Sequence, residues 1–239
     1  MSKTALVLGA TGGIGEAVAI ELAKNGYNIA IHYASNEAKA TELAAKLNPE
    51  VKSIAVKGDV ADEAAMTTVF NQVKDAFGTI DAIVNTAGIM RLAPISSLDM
   101  DEFDAVMRTN VRGTFVVSKL ATSFLNEAGI LINFSTSVTR TQFVNYGAYA
   151  AAKAAIESLT LVLARELRGK NIRVNTIAPG PTATPLFLEG KTEEQIKGLS
   201  MSNPLERLGT PEDIAEAVQS VVNAQWINGQ TIFVNGGMI

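Results

Sequence analysis

An α/β fold, built as a doubly wound parallel sheet of about seven strands with helices on both faces, is what this sequence predicts. Two observations carry the prediction. Short runs that are almost continuously apolar alternate with longer segments of helical periodicity, the pattern of strands buried on both faces and joined by crossover helices. A glycine cluster also stands where the first such run meets the first helical segment. Right-handed crossovers then wind the sheet in both directions from its centre.

Thr4–Leu8 reads as the first strand, and Gly13–Asn25 as a helix with Ile14, Val18 and Leu22 on one face. Asn28–Tyr33 is a strand, Glu37–Leu47 a helix, Val51–Val56 a strand and Asp62–Phe77 a helix. Ile80–Asn85 forms the fourth strand, Asp99–Asn126 one long helix and Ile130–Ser135 the fifth strand. Tyr146–Arg168 is a second long helix, followed by strand Ile172–Ala178. A loop or lid spans about residues 181–203, followed by a helix over Pro211–Asn223 and a last strand at Thr231–Val234. No linker, repeat or low-complexity tract interrupts the chain, so residues 1–239 are expected to form a single domain.

Composition narrows the function. The chain has 239 residues, of which 47% are hydrophobic, and a formal net charge of −4. It therefore carries no basic footprint for nucleic acid and is too apolar for disorder. With no cysteine there is neither a disulfide nor a thiolate nucleophile. The single histidine, His32, argues against a multi-histidine metal site and against a Ser-His-Asp triad, so no metal is expected. No secretory leader and no apolar run of ~20 residues is evident, which makes a cytoplasmic protein without a membrane contact the expectation.

The glycine cluster is Leu8-Gly9-Ala10-Thr11-Gly12-Gly13-Ile14-Gly15. Glycines at a strand-to-helix turn permit positive φ and let backbone amides approach a pyrophosphate. The helix N-terminus then faces that anion with free N–H groups. Two spacings fit at once, Gly9-x3-Gly13-x-Gly15 and Gly9-x2-Gly12-x2-Gly15, and neither is G-x-G-x-x-G. A tight turn without any ligand would look the same. The second strand ends in His32-Tyr33-Ala34-Ser35-Asn36, with no acidic residue.

Tyr149 and Lys153 stand four residues apart at the start of a long helix, which stacks them on one face. A phenol titrates near pKa ~10. An ammonium one turn away favours the phenolate and brings the group towards the range that acid–base catalysis needs. The same pair also occurs on solvated helix faces.

The glycine loop, Asn85-Thr86-Ala87-Gly88, Tyr149 with Lys153, Pro179-Gly180 and the tail Asn235-Gly236-Gly237 follow one another in order. Together they resemble the short-chain dehydrogenase/reductase family, from about Lys3 to Gly237. Each motif is weak alone, and their order makes the resemblance specific. The length resembles the short branch, and within it the 3-oxoacyl-acyl-carrier-protein reductases and general carbonyl or alcohol dehydrogenases.

That resemblance implies a Rossmann-like fold and a nicotinamide-dependent oxidoreductase. It implies Tyr149 as acid–base, and Lys153 as the residue that holds the nicotinamide ribose and lowers the tyrosine pKa. Asn110 would anchor a water of the proton relay, and Ser137 would steady the substrate oxygen. Ser137 stands twelve residues before Tyr149, one fewer than in many members, which leaves Thr136 and Ser135 open. Gly9, Thr11, Gly13, Ile14 and Gly15 would surround the pyrophosphate, with Asp59 and Val60 at the adenine. Asn85, Ala87 and Gly88 would line the ribose and nicotinamide side, together with Tyr149 and Lys153. Pro179, Gly180, Thr182 and Thr184 would close over the nicotinamide. An absent acid at the second strand's end favours NADP(H) over NAD(H). Ser35 and Asn36 would then bind the 2′-phosphate, helped by Lys39 or His32.

The aliphatic lid, with Phe187, Leu188, Ile196 and Leu199, suggests a moderately apolar small-molecule ketone or secondary alcohol. An acyl-carrier protein is an alternative partner, but the chain shows few basic residues near Asn126–Ala128 to meet so acidic a protein, only Arg168 and Lys170. A non-catalytic dinucleotide sensor would be marked by loss of Tyr149 or Lys153, and both are present. A sugar-nucleotide epimerase draws only on the second glycine spacing. His32 reads as a partly exposed neighbour of the cofactor, Arg108 and Arg112 as a solvated or interfacial face, and Trp226 as packing or a subunit contact. The surplus apolar faces of the two long helices suggest a homodimer or homotetramer.

Overall fold

The computed structural model describes residues 2–47 and 49–239. Seven strands form one parallel sheet: β1 (Thr4–Leu8), β2 (Asn28–Tyr33), β3 (Ser53–Lys57), β4 (Ala82–Asn85), β5 (Ile130–Phe134), β6 (Arg173–Pro179) and β7 (Thr231–Val234). Their order is β3-β2-β1-β4-β5-β6-β7. Every pairing is parallel, with Leu6 opposite Ala30 on one side and Ile83 on the other. β1, β4, β5 and β6 are buried along their whole length, which is why their sequences read as unbroken apolar runs.

Helices α1 (Gly13–Lys24), α2 (Glu37–Lys46) and α3 (Glu63–Phe77) follow the first three strands. α3 begins where the Asp62 carboxylate accepts from the N–H groups of Ala64 and Ala65, and ends at Gly78 with φ 76°. One sheet face packs Val18, Leu22, Leu43 and Val218 into a core, and the other packs Met66, Phe70, Val117 and Leu163. Val218 belongs to α10 (Pro211–Asn223), whose Thr210–Asp213 capping box starts it sharply.

The expected single helix over Asp99–Asn126 is instead three pieces: α4 (Met100–Val106), a π-helical segment (Met107–Arg112) and α5 (Gly113–Phe124). The widened turn carries the fully buried Asn110. Such bulges interrupt the regular ladder at places where a side chain has to point inward. Two short turns were not anticipated, a 3-10 turn at Ile95–Ser97 and α6 (Val138–Thr141). The lid is partly helical, with α8 (Pro185–Leu188) started by Thr184 and α9 (Glu193–Ser200) by a Thr192–Gln195 capping box.

α7 (Gly147–Glu166) is long and apolar enough to cross a membrane by length and composition. It packs instead against β5, β6 and the π-helical segment. Because β1 and β4 are neighbours while their crossovers lead to opposite sides, a crevice opens at their C-terminal ends, the usual binding place in such sheets.

Candidate active site

Gly9 opens the loop after β1 with φ +70°, and a Cβ there would lie 2.9 Å from the Ala87 backbone. At Gly15 a Cβ would overlap the Gly9 carbonyl oxygen and stand 2.7 Å from Thr86 Oγ1. Both positions therefore need glycine on packing grounds, because the loop touches the turn after β4. Thr86 closes that contact by donating to the Leu8 carbonyl at 2.6 Å. Gly12 caps α1 without any side-chain acceptor, which leaves the first-turn N–H groups directed at the crevice. A Cβ on Gly13 would stand 3.1 Å from Thr184 of the lid. Loop and lid thus leave a narrow cradle of small residues and free N–H groups, which fits a dinucleotide pyrophosphate.

Of the residues expected at a cofactor, Gly9, Thr11, Gly13, Ile14, Gly15, Ser35, Asp59, Val60, Ala87, Gly88 and Thr184 line one groove. Pro179, Gly180 and Thr182 line a second pocket with Ser137, Tyr149 and Lys153. The two cavities share Ile14, Thr86, Gly88, Thr184 and Leu186, so they form one continuous cleft.

Two expected contacts lie elsewhere. Asn85 is buried and directs its amide to Thr114 Oγ1 (3.4 Å) and Asn133 Oδ1 (3.3 Å), inside the sheet. Asn36 caps α2 through Lys39 N–H at 3.0 Å and is absent from the groove lining.

His32 does neighbour the groove, but it is 1% exposed rather than partly exposed. Its Nδ1 accepts from Gly9 N–H at 3.2 Å and its Nε2 meets the Gly58 carbonyl at 3.1 Å. Those partners select the neutral tautomer protonated on Nε2. Burial pushes the imidazole down to about 4, against the pull of the Gly58 carbonyl and Asp59. With both nitrogens committed, His32 holds the glycine loop and is not placed to bind a phosphate. Lys39, the other expected helper, forms an ion pair with Glu16 at 3.2 Å. Arg108 is not on a plain solvated face: it lines the groove and bonds Asp59 at 2.7 Å. Arg112 ties the π-helical segment to the Ala61 carbonyl at 2.9 Å. Trp226 is 98% exposed, so its ring is not packed among the described residues.

In the second pocket, Lys153 is buried and donates to the Phe134 carbonyl at 2.8 Å. Burial lowers its ammonium to about 8. Burial raises the Tyr149 phenol above its ordinary value, with a smaller push from Tyr146. The expected lowering by Lys153 is not observed: its ammonium lies 5.8 Å from the Tyr149 ring centroid, and burial governs the phenol. Asn110 bridges both polar atoms of the Ile89 backbone, accepting at 2.9 Å and donating at 2.8 Å. A Cβ on Gly88 would stand 3.0 Å from Asn110 Oδ1 and 3.4 Å from Lys153 Nζ, so these groups meet at one wall.

The three candidate hydroxyls separate by their bonds. Ser135 donates to Glu157 Oε1 at 2.6 Å and is thereby committed to α7. Thr136 accepts from Val138 N–H at 3.3 Å. Ser137 accepts from Asn235 Nδ2 at 3.1 Å and has only a long contact, 3.4 Å, to the Ala178 carbonyl. Sequence reading missed the aromatic row beside them, with Phe143–Tyr146 centroids 5.9 Å apart and Tyr146–Tyr149 centroids 6.4 Å apart. Its signal was the Tyr-x-x-Tyr spacing one turn before the helix pair.

Over residues 9–239 the chain matches the family described as enoyl-(acyl carrier protein) reductase. It is 36% identical to a short-chain type dehydrogenase/reductase of Picea abies, over 99% of this chain and 92% of that one. It is also 36% identical to a 3-oxoacyl-(acyl-carrier-protein) reductase of Staphylococcus aureus, over 100% and 98%. An NADPH-dependent aldehyde reductase-like protein of Arabidopsis thaliana is 35% identical, over 99% and 94%. Among solved structures, a short chain dehydrogenase from Burkholderia cenocepacia in complex with NADP superposes with a TM-score of 0.92 at 33% identity, over 99% and 97%.

Proposed function

Because the chain belongs to the short-chain dehydrogenase/reductase family and is a nicotinamide-dependent oxidoreductase, we propose that it reduces an apolar ketone or aldehyde with NADPH, using Tyr149 as the proton donor. One observation carries this reading: the pocket holding Tyr149, Lys153 and Ser137 opens into the glycine groove through Ile14, Gly88 and Thr184. The nicotinamide, when bound, supplies the hydride, and the protein supplies orientation and protons.

Gly9, Thr11, Gly13, Ile14 and Gly15 would hold the pyrophosphate, Asp59 and Val60 the adenine, and Ala87, Gly88, Thr182 and Thr184 the nicotinamide half. A tyrosine that burial keeps protonated is suited to deliver its proton to a carbonyl oxygen rather than to remain a phenolate. Lys153 places a buried cation one turn from that phenol, where it would stabilise the negative charge that develops on the phenolate as the proton leaves. Ser137 would donate to the substrate oxygen, and Asn110 keeps the Ile89 backbone in place beside Gly88. NADPH is favoured over NADH because Ala34 and Ser35, the β2-end residues on the groove, carry no negative charge to repel a 2′-phosphate. The S. aureus relative is named for a carrier-bound 3-oxoacyl substrate. Arg140, next to the pocket residue Thr141, is a basic group near the pocket, but its charge is already paired with Glu157 at 2.9 Å, which weighs against that reading.

The exposed Phe115, Leu161 and Val162 on α5 and α7, and the half-exposed edge strand β7, support assembly as a homodimer or homotetramer.

The test is NADPH oxidation with a panel of apolar ketones and aldehydes, alongside one 3-oxoacyl thioester offered free and carrier-linked. Turnover of free carbonyls supports the first reading. Turnover confined to the carrier-linked thioester supports the second, and turnover of none contradicts both.

A further inference from the structure

We infer that Asn235, 98 residues from Ser137 in the chain, is a positioning residue whose side-chain amide sets the direction of the Ser137 hydroxyl in the pocket. Its own orientation is unambiguous. Asn235 Oδ1 accepts from the backbone N–H groups of Gly237 at 3.0 Å and Met238 at 3.2 Å. Reversing the amide would set its NH2 against two donors, so the NH2 must face Ser137 Oγ, 3.1 Å away. Ser137 therefore accepts. Its proton is left with the Ala178 carbonyl at 3.4 Å, a distance too long for a strong bond, or with a carbonyl oxygen in the pocket. A hydroxyl that already accepts a hydrogen bond also donates more strongly.

The surrounding backbone is shaped for this contact. A Cβ at Gly180 would fall 2.7 Å from Asn235 Cβ, so only glycine lets the two segments approach so closely. Gly236 and Gly237, with φ +66° and +83°, turn the chain back so that Met238 reaches the pocket wall. Asn203 fixes that turn from the far side: a Cβ at Gly236 would stand 2.7 Å from its Oδ1, while its Nδ2 donates to the Arg207 carbonyl at 2.8 Å.

This role rests on the reading above that Ser137 meets the substrate oxygen. Asn235→Asp is the discriminating variant. A carboxylate still accepts from Gly237 and Met238, which keeps the turn, but it offers Ser137 an acceptor in place of a donor. The serine then spends its proton on the carboxylate. The expected result is a ~10²–10³-fold loss in kcat/KM for the carbonyl substrate, the scale of losing one oxyanion donor. NADPH affinity and melting temperature should stay near those of the parent. In a Ser137→Ala background the same substitution should cost nothing further, because the group it acts through is gone.

If Ser137→Ala alone leaves turnover unchanged, the reading of Ser137 fails and the role of Asn235 fails with it. If Ser137→Ala lowers turnover but N235D does not, or N235D costs the same factor with and without Ser137, the serine keeps its role and the inference about Asn235 is overturned.

Discussion

Lys153 Nζ lies 5.8 Å from the centroid of the Tyr149 ring and spends one of its protons on the Phe134 carbonyl, 2.8 Å away. The lysine is thereby fixed beside the tyrosine without being hydrogen-bonded to it. Burial acts on the two in opposite directions, lowering the ammonium to about 8 and raising the phenol. At neutral pH the phenol therefore keeps its proton, the state a proton donor needs before reduction begins, while Lys153 remains mostly an ammonium.

A buried ammonium has a consequence for stability. The Lys153 pKa is about 8 in the folded chain against an ordinary 10.5. Below pH 8 the group is charged in both states and its burial cost is fully present. Between 8 and 10.5 the unfolded chain holds more protons, so this group makes folding more favourable as pH rises, by roughly 3 kcal/mol over the whole interval. Urea unfolding of the parent and Lys153→Met at pH 7 and pH 9.5 checks this. The stability difference should move in the parent's favour at the higher pH, and a pH-independent difference would show that the lysine is not desolvated.

His32 makes the opposite kind of demand. It titrates at about 4 in the folded chain and 6.5 in its ordinary state, so the unfolded chain binds more protons between these values. Its contribution to stability is complete above pH 6.5 and is lost as pH falls towards 4. Asp59 is the charged group that faces it and partly offsets the shift. His32→Ala should remove the acceptor for Gly9 N–H and weaken NADPH and NADH binding ~10-fold with little change in kcat, since an unmade buried hydrogen bond costs about 1–3 kcal/mol. His32→Asn can accept and donate in the same place and should restore affinity. Fluorescence titration of the three proteins with each nucleotide decides the matter.

Ala34 lies at the end of β2 on the groove and is solvent-exposed. A carboxylate there would meet the 2′-phosphate of NADPH and could accept from the 2′-hydroxyl of NADH. Ala34→Asp should therefore invert the ratio of kcat/KM for the two nucleotides, with a shift of at least ~10-fold toward NADH from like-charge repulsion. An unchanged ratio would mean that the phosphate is bound elsewhere.

Much of this architecture is legible in the sequence because strands buried on both faces leave unbroken apolar runs. β1, β2, α10 and β7 have the boundaries read from their residues. Tyr149 and Lys153 share a face because helical spacing requires it, and the glycine loop stands where a strand must turn into a helix. The π-helical segment escaped detection since no Gly or Pro breaks Met107–Arg112, and widening by one residue leaves no local mark. The lid helices did carry signals, Pro185 behind Thr184 and Thr192-x-x-Gln195, within a stretch read as loop or lid. Asn85 sits in a motif that resemblance places beside the ribose, yet Asn133 on the next strand draws its amide into the sheet. The work of His32 and Asn235 depends on partners in other elements, Gly9 and Gly58 for one and Ser137 for the other. No spacing along the chain encodes those contacts.

The central claim is that Tyr149 delivers the proton in an NADPH-dependent carbonyl reduction, and Tyr149→Phe tests it most directly. Phenylalanine keeps the ring against Tyr146 and removes only the hydroxyl. The measurement pairs an NADPH titration, followed by nucleotide fluorescence, with single-turnover oxidation in the presence of a carbonyl substrate. The account predicts affinity within about twofold of the parent and a rate lowered by ~10²–10⁴, the usual contribution of a positioned acid–base group. A variant that binds NADPH and reduces the carbonyl at the parent rate would contradict it.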